Sequence, residues 1–505
     1  MGYTNDLANP NYMGSGSLEK RDFRITYTES SVLRYRAESQ EQLIEDPNLL
    51  LEMVKHHHTH QVPRLEELEQ YYMGNNPMIM QGKRRNEANK SDHRVRHSFA
   101  STISDFLNSY VLGNPVKLEL VEDSEVFQDI LDEFNTANDI DSHNLEIGRD
   151  QSNLGRAYEI LVQGQDDETK IYRLDPKETF LIHDNTVKSR VIAGVRYYRI
   201  EDFKEDTQQY VIQLYTYDKI YTYKPIDINT SGNLVQDGDE EPHSFNGVPI
   251  IEYRSDRFRS GVYEKQLSLI DAYDSAESDT ANYMTDFNDS ILVIKGMLED
   301  DTINNLGQMK DANILILTPS KDVNGSSEAV EASYLTKSYD VAGVEAYKTR
   351  LKDDIFMFSG VPNLSDINFA GNQSGVALSY KMYNLQQKKN DKEQFLKKGF
   401  RVRYALLENL KKSISEYTGP KVMINYTFTP NLPESYIDEL QAFTQAGGVL
   451  SNDTKLGLLT FVDDVESEKE KIGEEQKQNS INTKASWYDG FTDGQPKASE
   501  PTSEV

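Results

Sequence analysis

The stretch SGVPNLSDINFAGNQSGVALSYKM, residues 359–382, decides how this chain is read. It opens on Gly360 and Pro362, two residues that stop a helix, and ends in an apolar-periodic run that restarts one behind Gly375. Upstream, Asp340 to Phe358 has the spacing of a short amphipathic helix. Downstream, a pattern of about ten helical turns runs from Val376 past Lys412. Its apolar stripe is Leu378, Met382, Leu385, Leu396, Phe400, Leu407 and Leu410. The segment is therefore a helix–loop–helix. A loop between two helices can be a mere connection, but one of this length is often functional.

The second helix is basic. Ten lysines and arginines, among them Lys381, Lys388, Lys389, Lys392, Lys398, Arg401 and Arg403, face three acids in a chain whose net charge is −29. One cationic rod in an anionic chain suggests a confined contact with a polyanion. The alternative is that the cations pair with carboxylates of neighbouring subunits.

Working upstream, a second long helix is read from Gly261 to about Ser290. Its apolar stripe is Tyr263, Leu267, Ile270, Ala281, Met284 and Phe287, and seven acids, including Asp271, Asp274 and Asp279, stand against Lys265. They form either an ordinary solvated face or a lining that repels phosphates. Between this helix and that at 340–358 lies a small α/β unit, 291–337, with strands at Ile291–Ile294 and Asn313–Leu317. Two helices bracketing a small unit resemble a stalk with a knob at its end.

Residues 1–40 are polar and expected to pack poorly. A helix starts after Asp46-Pro47 and ends at Gly74-Asn75-Asn76-Pro77. A basic segment (Lys83 to Arg96) leads to a helix at Phe99–Leu112, and a helix pair spans about Ser124–Asn153. From Ala157 the period changes to two, and Ala157–Gln163, Ile171–Leu174, Arg190–Ile200, Gln208–Tyr217 and Lys219–Tyr223 read as an antiparallel meander that Pro249-Ile250-Ile251 closes. Beyond the basic helix come a strand at Val422–Phe428, helices at 433–446 and about 451–462, and an acidic tail expected to be disordered.

Composition narrows the function. The 505 residues suit several structural units, and a hydrophobic content of 37% suits an elongated α+β subunit that buries surface against neighbours. The absence of cysteine excludes disulfides, thiolate metal sites and a cysteine nucleophile. There is no signal-peptide pattern at Met1–Asp6 and no apolar run long enough to span a membrane. No nucleotide-binding, zinc-protease or hydrolase motif is present, so no catalytic residue, metal or cofactor is assigned. The run His56-His57-His58-Thr59-His60 is the one metal-like feature; it lacks evident third and fourth ligands and is expected to be a solvated or interface run.

The order of parts resembles the portal proteins of tailed bacteriophages, of the type found in siphophages of Gram-positive hosts. The match rests on Tyr71-Tyr72-Met73-Gly74-Asn75-Asn76-Pro77, Tyr110-Val111-Leu112-Gly113-Asn114-Pro115-Val116, Gly155-Arg156-Ala157-Tyr158-Glu159, Leu174-Asp175-Pro176, Phe245-Asn246-Gly247-Val248-Pro249 with Leu269-Ile270-Asp271-Ala272-Tyr273-Asp274, and Ser374-Gly375-Val376-Ala377-Leu378. Their order and spacing cover roughly residues 45–440.

The resemblance implies a non-enzymatic ring of about twelve subunits around a DNA channel at one capsid vertex. It implies a mixed α/β wing (1–260), stem helices (261–290 and 338–358), a small α/β clip (291–337), a tunnel loop (359–375), a helix crossing from wing to crown (376–415), a helical crown (416–465) and a tail (466–505). The tunnel loop would present Asn363, Ser365, Asp366, Asn368, Asn372, Gln373 and Ser374 to DNA, with Gly360 and Gly375 as hinges. Lys381, Lys388, Lys389 and Lys392 would touch DNA, and Asp271, Asp274 and Asp279 would line the stem. Implied partners are double-stranded DNA, the terminase large subunit, major capsid and scaffolding proteins and a head–tail connector; no membrane is involved. The site would be the virion, after assembly in the host cytoplasm. A nucleic-acid-processing metal-dependent enzyme and a head-completion or scaffold protein without a channel are the alternatives.

Overall fold

The computed structural model describes residues 33–80, 91–122, 124–164, 168–200, 209–229, 232–286, 291–295, 331–335, 340–363 and 382–431, with scattered positions between 451 and 477. The chain divides into two units, Met1–Asn431 and Leu432–Val505. In the second, only isolated helical positions are described, so the helices expected at 433–446 and 451–462 lie largely outside the described residues.

The first strand corrects an expectation. β1 (Tyr35–Ala37) falls inside the stretch expected to pack poorly, yet Tyr35 and Ala37 are buried and β1 pairs in parallel with β5 (Thr179–Asp184). Three alternating residues are too few to announce a strand without the partner that completes its ladder. After α1 (Gln40–Glu45), Asp46 caps α2 (Pro47–His56), accepting from the Leu49 amide at 3.4 Å with Pro47 in the first turn. A π-helical turn at His57–Gln61 joins α2 to α3 (Val62–Tyr72). Its cause is Pro63, which has no amide to donate and whose ring crowds the carbonyl four residues back, so the helix widens by one residue and Val62 bonds to the His57 carbonyl instead. α4 (Pro77–Met80) follows the Gly74–Asn76 turn.

α5 (Phe99–Leu112), α6 (Glu125–Ala137, capped by Ser124) and α7 (Ile140–Leu154) form where the apolar spacing places them. The expected meander divides into two sheets. β3 (Arg156–Gln163) and β4 (Thr169–Leu174) pair with β10 (Ile250–Arg254). β5 joins β6 (Val191–Arg199), β7 (Gln209–Tyr215), β8 (Lys219–Asp227) and β9 (Glu241–Pro242) in a six-stranded sheet that β1 completes. The reason lies in burial. β3 is closed on both faces, and its partner β10 comes from almost a hundred residues downstream, a pairing that no local pattern announces. A further short pair joins β2 (Lys117–Leu120) to β13 (Ile424–Thr427).

α8 (Leu267–Asp286) is entered through one 3-10 turn at Glu264–Gln266. β11 (Ile291–Lys295) and β12 (Glu331–Leu335) pair antiparallel and lead on to α9 (Val341–Ser359), which packs along α8. The strand expected at Asn313–Leu317 lies outside the described residues, and β12 was not expected. α10 (Tyr383–Ser413) then crosses the main core, where Leu385, Leu396, Phe400, Leu407 and Leu410 are buried as their spacing predicts. Gly399 allows the crossing: any side chain there would run into the Tyr253 ring on β10. Among the described residues, no helix is long and apolar enough to cross a membrane.

Candidate functional site

The polar face of α8 is largely an internal joint. Asp271 is buried and accepts from the Tyr71 hydroxyl at 2.6 Å. Asp274 is fully buried, accepting from Asn76 Nδ2 at 2.8 Å, with His97 Nδ1 also 2.8 Å away. One turn on, Ser278 Oγ accepts from the Val95 amide at 2.9 Å and Asn282 Oδ1 from the His93 amide at 2.6 Å. The extended segment 93–97 thus runs along α8 as an added strand would run along a sheet, its amides answered by side chains at a four-residue spacing. This corrects the expectation for Asp271 and Asp274. Groups enclosed within one subunit cannot line a channel between subunits, and only Asp279 of the three is exposed. Helical position alone did not separate them, because partners more than 170 residues away in sequence decide which acids face inward.

The cations of α10 are corrected in the same way. Lys389 is buried against Glu393, and Lys392 is buried against Asn108 Oδ1 (3.1 Å), the Gly148 carbonyl (2.8 Å) and Ser152 Oγ. Neither can touch DNA. Lys412 pairs with Glu408 at 2.7 Å and Lys411 with Glu416 at 2.5 Å. Lys398 and Arg401 are exposed, and Lys388 is half-buried. A helix that threads a core must satisfy its cations internally, so much of the basic surplus is structural.

Lys388 has a definite place. Gly360 ends α9 in the left-handed region at φ +69°, donating to the Phe356 carbonyl at 3.1 Å, and the aliphatic stem of Lys388 lies against it. The root of the 359–375 loop is therefore held by the first turns of α10. Of the residues expected in that loop, Asn363 is described; Ser365, Asp366, Asn368, Asn372, Gln373, Ser374 and Gly375 lie outside the described residues, as does Lys381.

The strongest electrostatic feature was missed from sequence. Glu159 on β3 and Arg403 on α10 are both completely buried and joined by two hydrogen bonds, at 2.8 and 2.5 Å. Tyr253 donates its hydroxyl to Glu159 at 2.7 Å, His143 Nε2 lies 2.9 Å from it, and Asn144 Oδ1 accepts from Arg403 at 2.8 Å. Burial alone would raise the Glu159 carboxyl, but the Arg403 charge and the hydrogen bonds around it hold it down at about 2. A second buried pair, Arg64 with Glu264 at 2.5 Å, ties α3 to the entry of α8. The available signal was indirect: Tyr71, Asn76 and Glu159 lie within the motifs that carry the family resemblance.

The histidine run is also partly internal. His57 is buried in the π turn, its Nδ1 2.8 Å from the Tyr197 hydroxyl, while the His56 and His60 rings stack at 4.2 Å. His56, His58 and His60 remain partly exposed, and among the described residues no group of three metal-ligating side chains is found.

Lys392 gives a pH prediction. Burial lowers its ammonium from 10.5 to about 7, with no carboxylate among its hydrogen-bond acceptors. Between those values the unfolded chain binds a proton that the folded chain does not, so this group makes stability rise with pH from about 7 to about 10.5. In urea unfolding, wild type should gain on Lys392→Met by up to about 1 kcal/mol per pH unit. A difference that does not change between neutral and alkaline pH contradicts the burial of a neutral lysine.

This arrangement defines a class: a mixed α/β subunit in which a helix–strand–strand–helix excursion is sewn by a buried ion pair and buried hydrogen bonds to a domain crossed by one long helix. The chain belongs to the family described as phage portal protein, SPP1 Gp6-like, which matches residues 51–481. It is 24% identical over 450 residues to the portal protein of Clostridium phage phiCD119, covering 85% of this chain and 95% of that one. It is 22% identical over 402 residues to the portal protein of Bacillus phage SPP1, covering 77% of each. Among solved structures, a chain of the neck of an empty GTA particle is similar with a TM-score of 0.39 and 13% identity, covering 72% of this chain and 90% of that one.

Proposed function

We propose that this portal protein assembles into a ring of about twelve copies whose channel conducts double-stranded DNA into and out of the capsid. It acts as a structural component that docks the terminase motor and a head–tail connector. The carrying observation is the excursion α8–β11–β12–α9: two packed helices, running in opposite directions, lead out to a pair of antiparallel strands and back. In this reading α8 and α9 are the stem, 291–337 the clip, 359–375 the tunnel loop, 1–260 the wing and 416–465 the crown. α9 supports an interface role, since Tyr347, Met357 and Phe358 are half or more exposed on it.

The stem still offers a repulsive surface, through Asp279 on α8 and Asp353 on α9, both exposed. A channel that lets DNA slide cannot neutralise many phosphates, because each one neutralised adds affinity through counterion release. Asp279→Lys with Asp353→Lys should leave assembly intact and slow packaging several-fold, most strongly at low salt. Packaging at the wild-type rate would place these acids away from DNA.

A further inference from the structure

A cavity of about 230 Å³ opens between α6, α7, β2 and α10. Its inner end is apolar: Phe400, Tyr404 and Leu131 are buried core residues. Its rim is acidic: Asp132 and Asp141 line it and are both exposed. No lysine, arginine or histidine lines it.

One polar atom of each lining amide is already engaged. Asn144 Oδ1 accepts from Arg403, Asn135 Oδ1 accepts from the Tyr404 hydroxyl at 3.0 Å, and Gln128 Nε2 donates to one oxygen of Asp132 at 3.0 Å. The second Asp132 oxygen remains to answer a cation, as does the Asp141 carboxylate beyond the one backbone hydrogen bond it accepts from Val116. Burial and the nearby Asp139 raise the Asp141 carboxyl above its ordinary value, against the Val116 hydrogen bond that lowers it.

We infer that this cavity binds an organic cation, a primary ammonium carried on a short apolar group. The ammonium sits between Asp132 and Asp141 at the rim, and the apolar group fills the inner end against Leu131, Ile140 and Phe400. The polarity gradient selects this orientation. A lysine side chain entering head first would leave its ammonium in the apolar end, where an unanswered charge is costly. A hard divalent ion needs six or more oxygens, and two carboxylates beside engaged amides do not supply them. An anion would meet the rim carboxylates. The same chemistry is offered by a free alkylamine and by the amino-terminal residue of a partner polypeptide, whose α-ammonium stands beside an apolar side chain.

Calorimetric titration of the full-length protein tests this. Isopentylammonium and leucinamide should bind with Kd near or below about 1 mM, and isopentanol, which lacks the charge, roughly tenfold more weakly. Asp141→Asn and, separately, Asp132→Asn should each weaken the two amines by about tenfold with unchanged melting, because both side chains lie at the exposed rim. A peptide with a free amino-terminal leucine that binds more tightly than leucinamide, and loses this on N-acetylation, identifies a partner terminus as the source; no gain over leucinamide identifies a free amine. Equal binding of isopentanol, a preference for Nα-acetyl-lysinamide, indifference to both Asp variants, or no binding at about 10 mM overturns the inference.

Discussion

Arg403→Leu should lower the unfolding free energy by about 3–5 kcal/mol, the largest stability loss expected of a single substitution in this chain. Neither Arg403 nor Glu159 has solvent to fall back on, and leucine would leave a carboxylate charged in the core with only Tyr253 and His143 to answer it. The cost is that of the orphaned charge more than of the lost attraction, so Arg403→Leu with Glu159→Leu should recover a good part of the loss. The pH dependence follows from the depressed carboxyl. Its ordinary value is 4.5 and its folded value about 2, so its contribution is fully present above the ordinary range and is lost as pH falls from there towards 2. Wild type should therefore lose its advantage over Arg403→Leu progressively on acidification. Urea midpoints for the three proteins from neutral to acid pH give the answer. A loss under about 1 kcal/mol at neutral pH would mean that this pair does not fasten α10 to the sheet.

Removing Asn368–Gln373 should abolish most DNA packaging while leaving assembly intact. Gly360 is fixed in the left-handed conformation at the end of α9, and the stem of Lys388 lies against it, so the loop leaves from a point clamped between two helices. The sequence between holds mainly small polar side chains, which can brush a moving phosphate backbone without gripping it. Shortening the loop leaves the Gly360 clamp in place, so subunits still fold. Wild-type packaging by the trimmed protein would remove the tunnel-loop assignment, and the DNA role of Lys388 with it.

Periodicity made the longer helices and β6, β7 and β8 of the large sheet legible. α5 begins and ends where Phe99 and Gly113 place it, and Asp46-Pro47 starts α2 as its chemistry dictates. What periodicity could not supply was partnership. β3 pairs with β10 across almost a hundred residues, Asp274 is answered by Asn76 and His97, and Arg403 by Glu159. A charge on a helix reads as a surface charge until its partner is known. Counting the basic residues of α10 and the acids of α8 as surface therefore overstated both. The motif residues Tyr71, Asn76 and Glu159 prove to be the groups that answer buried charges and dipoles, so the family resemblance is carried in good part by the joints of the fold.

The central claim is that copies of this chain close a ring around a channel. Averaged end-on electron micrographs of the purified protein test it most directly. A closed ring of about twelve subunits with an axial hole wide enough for a DNA duplex is the expected result. A monomer at micromolar concentration across a range of salt, or a closed assembly with no axial opening, would contradict it.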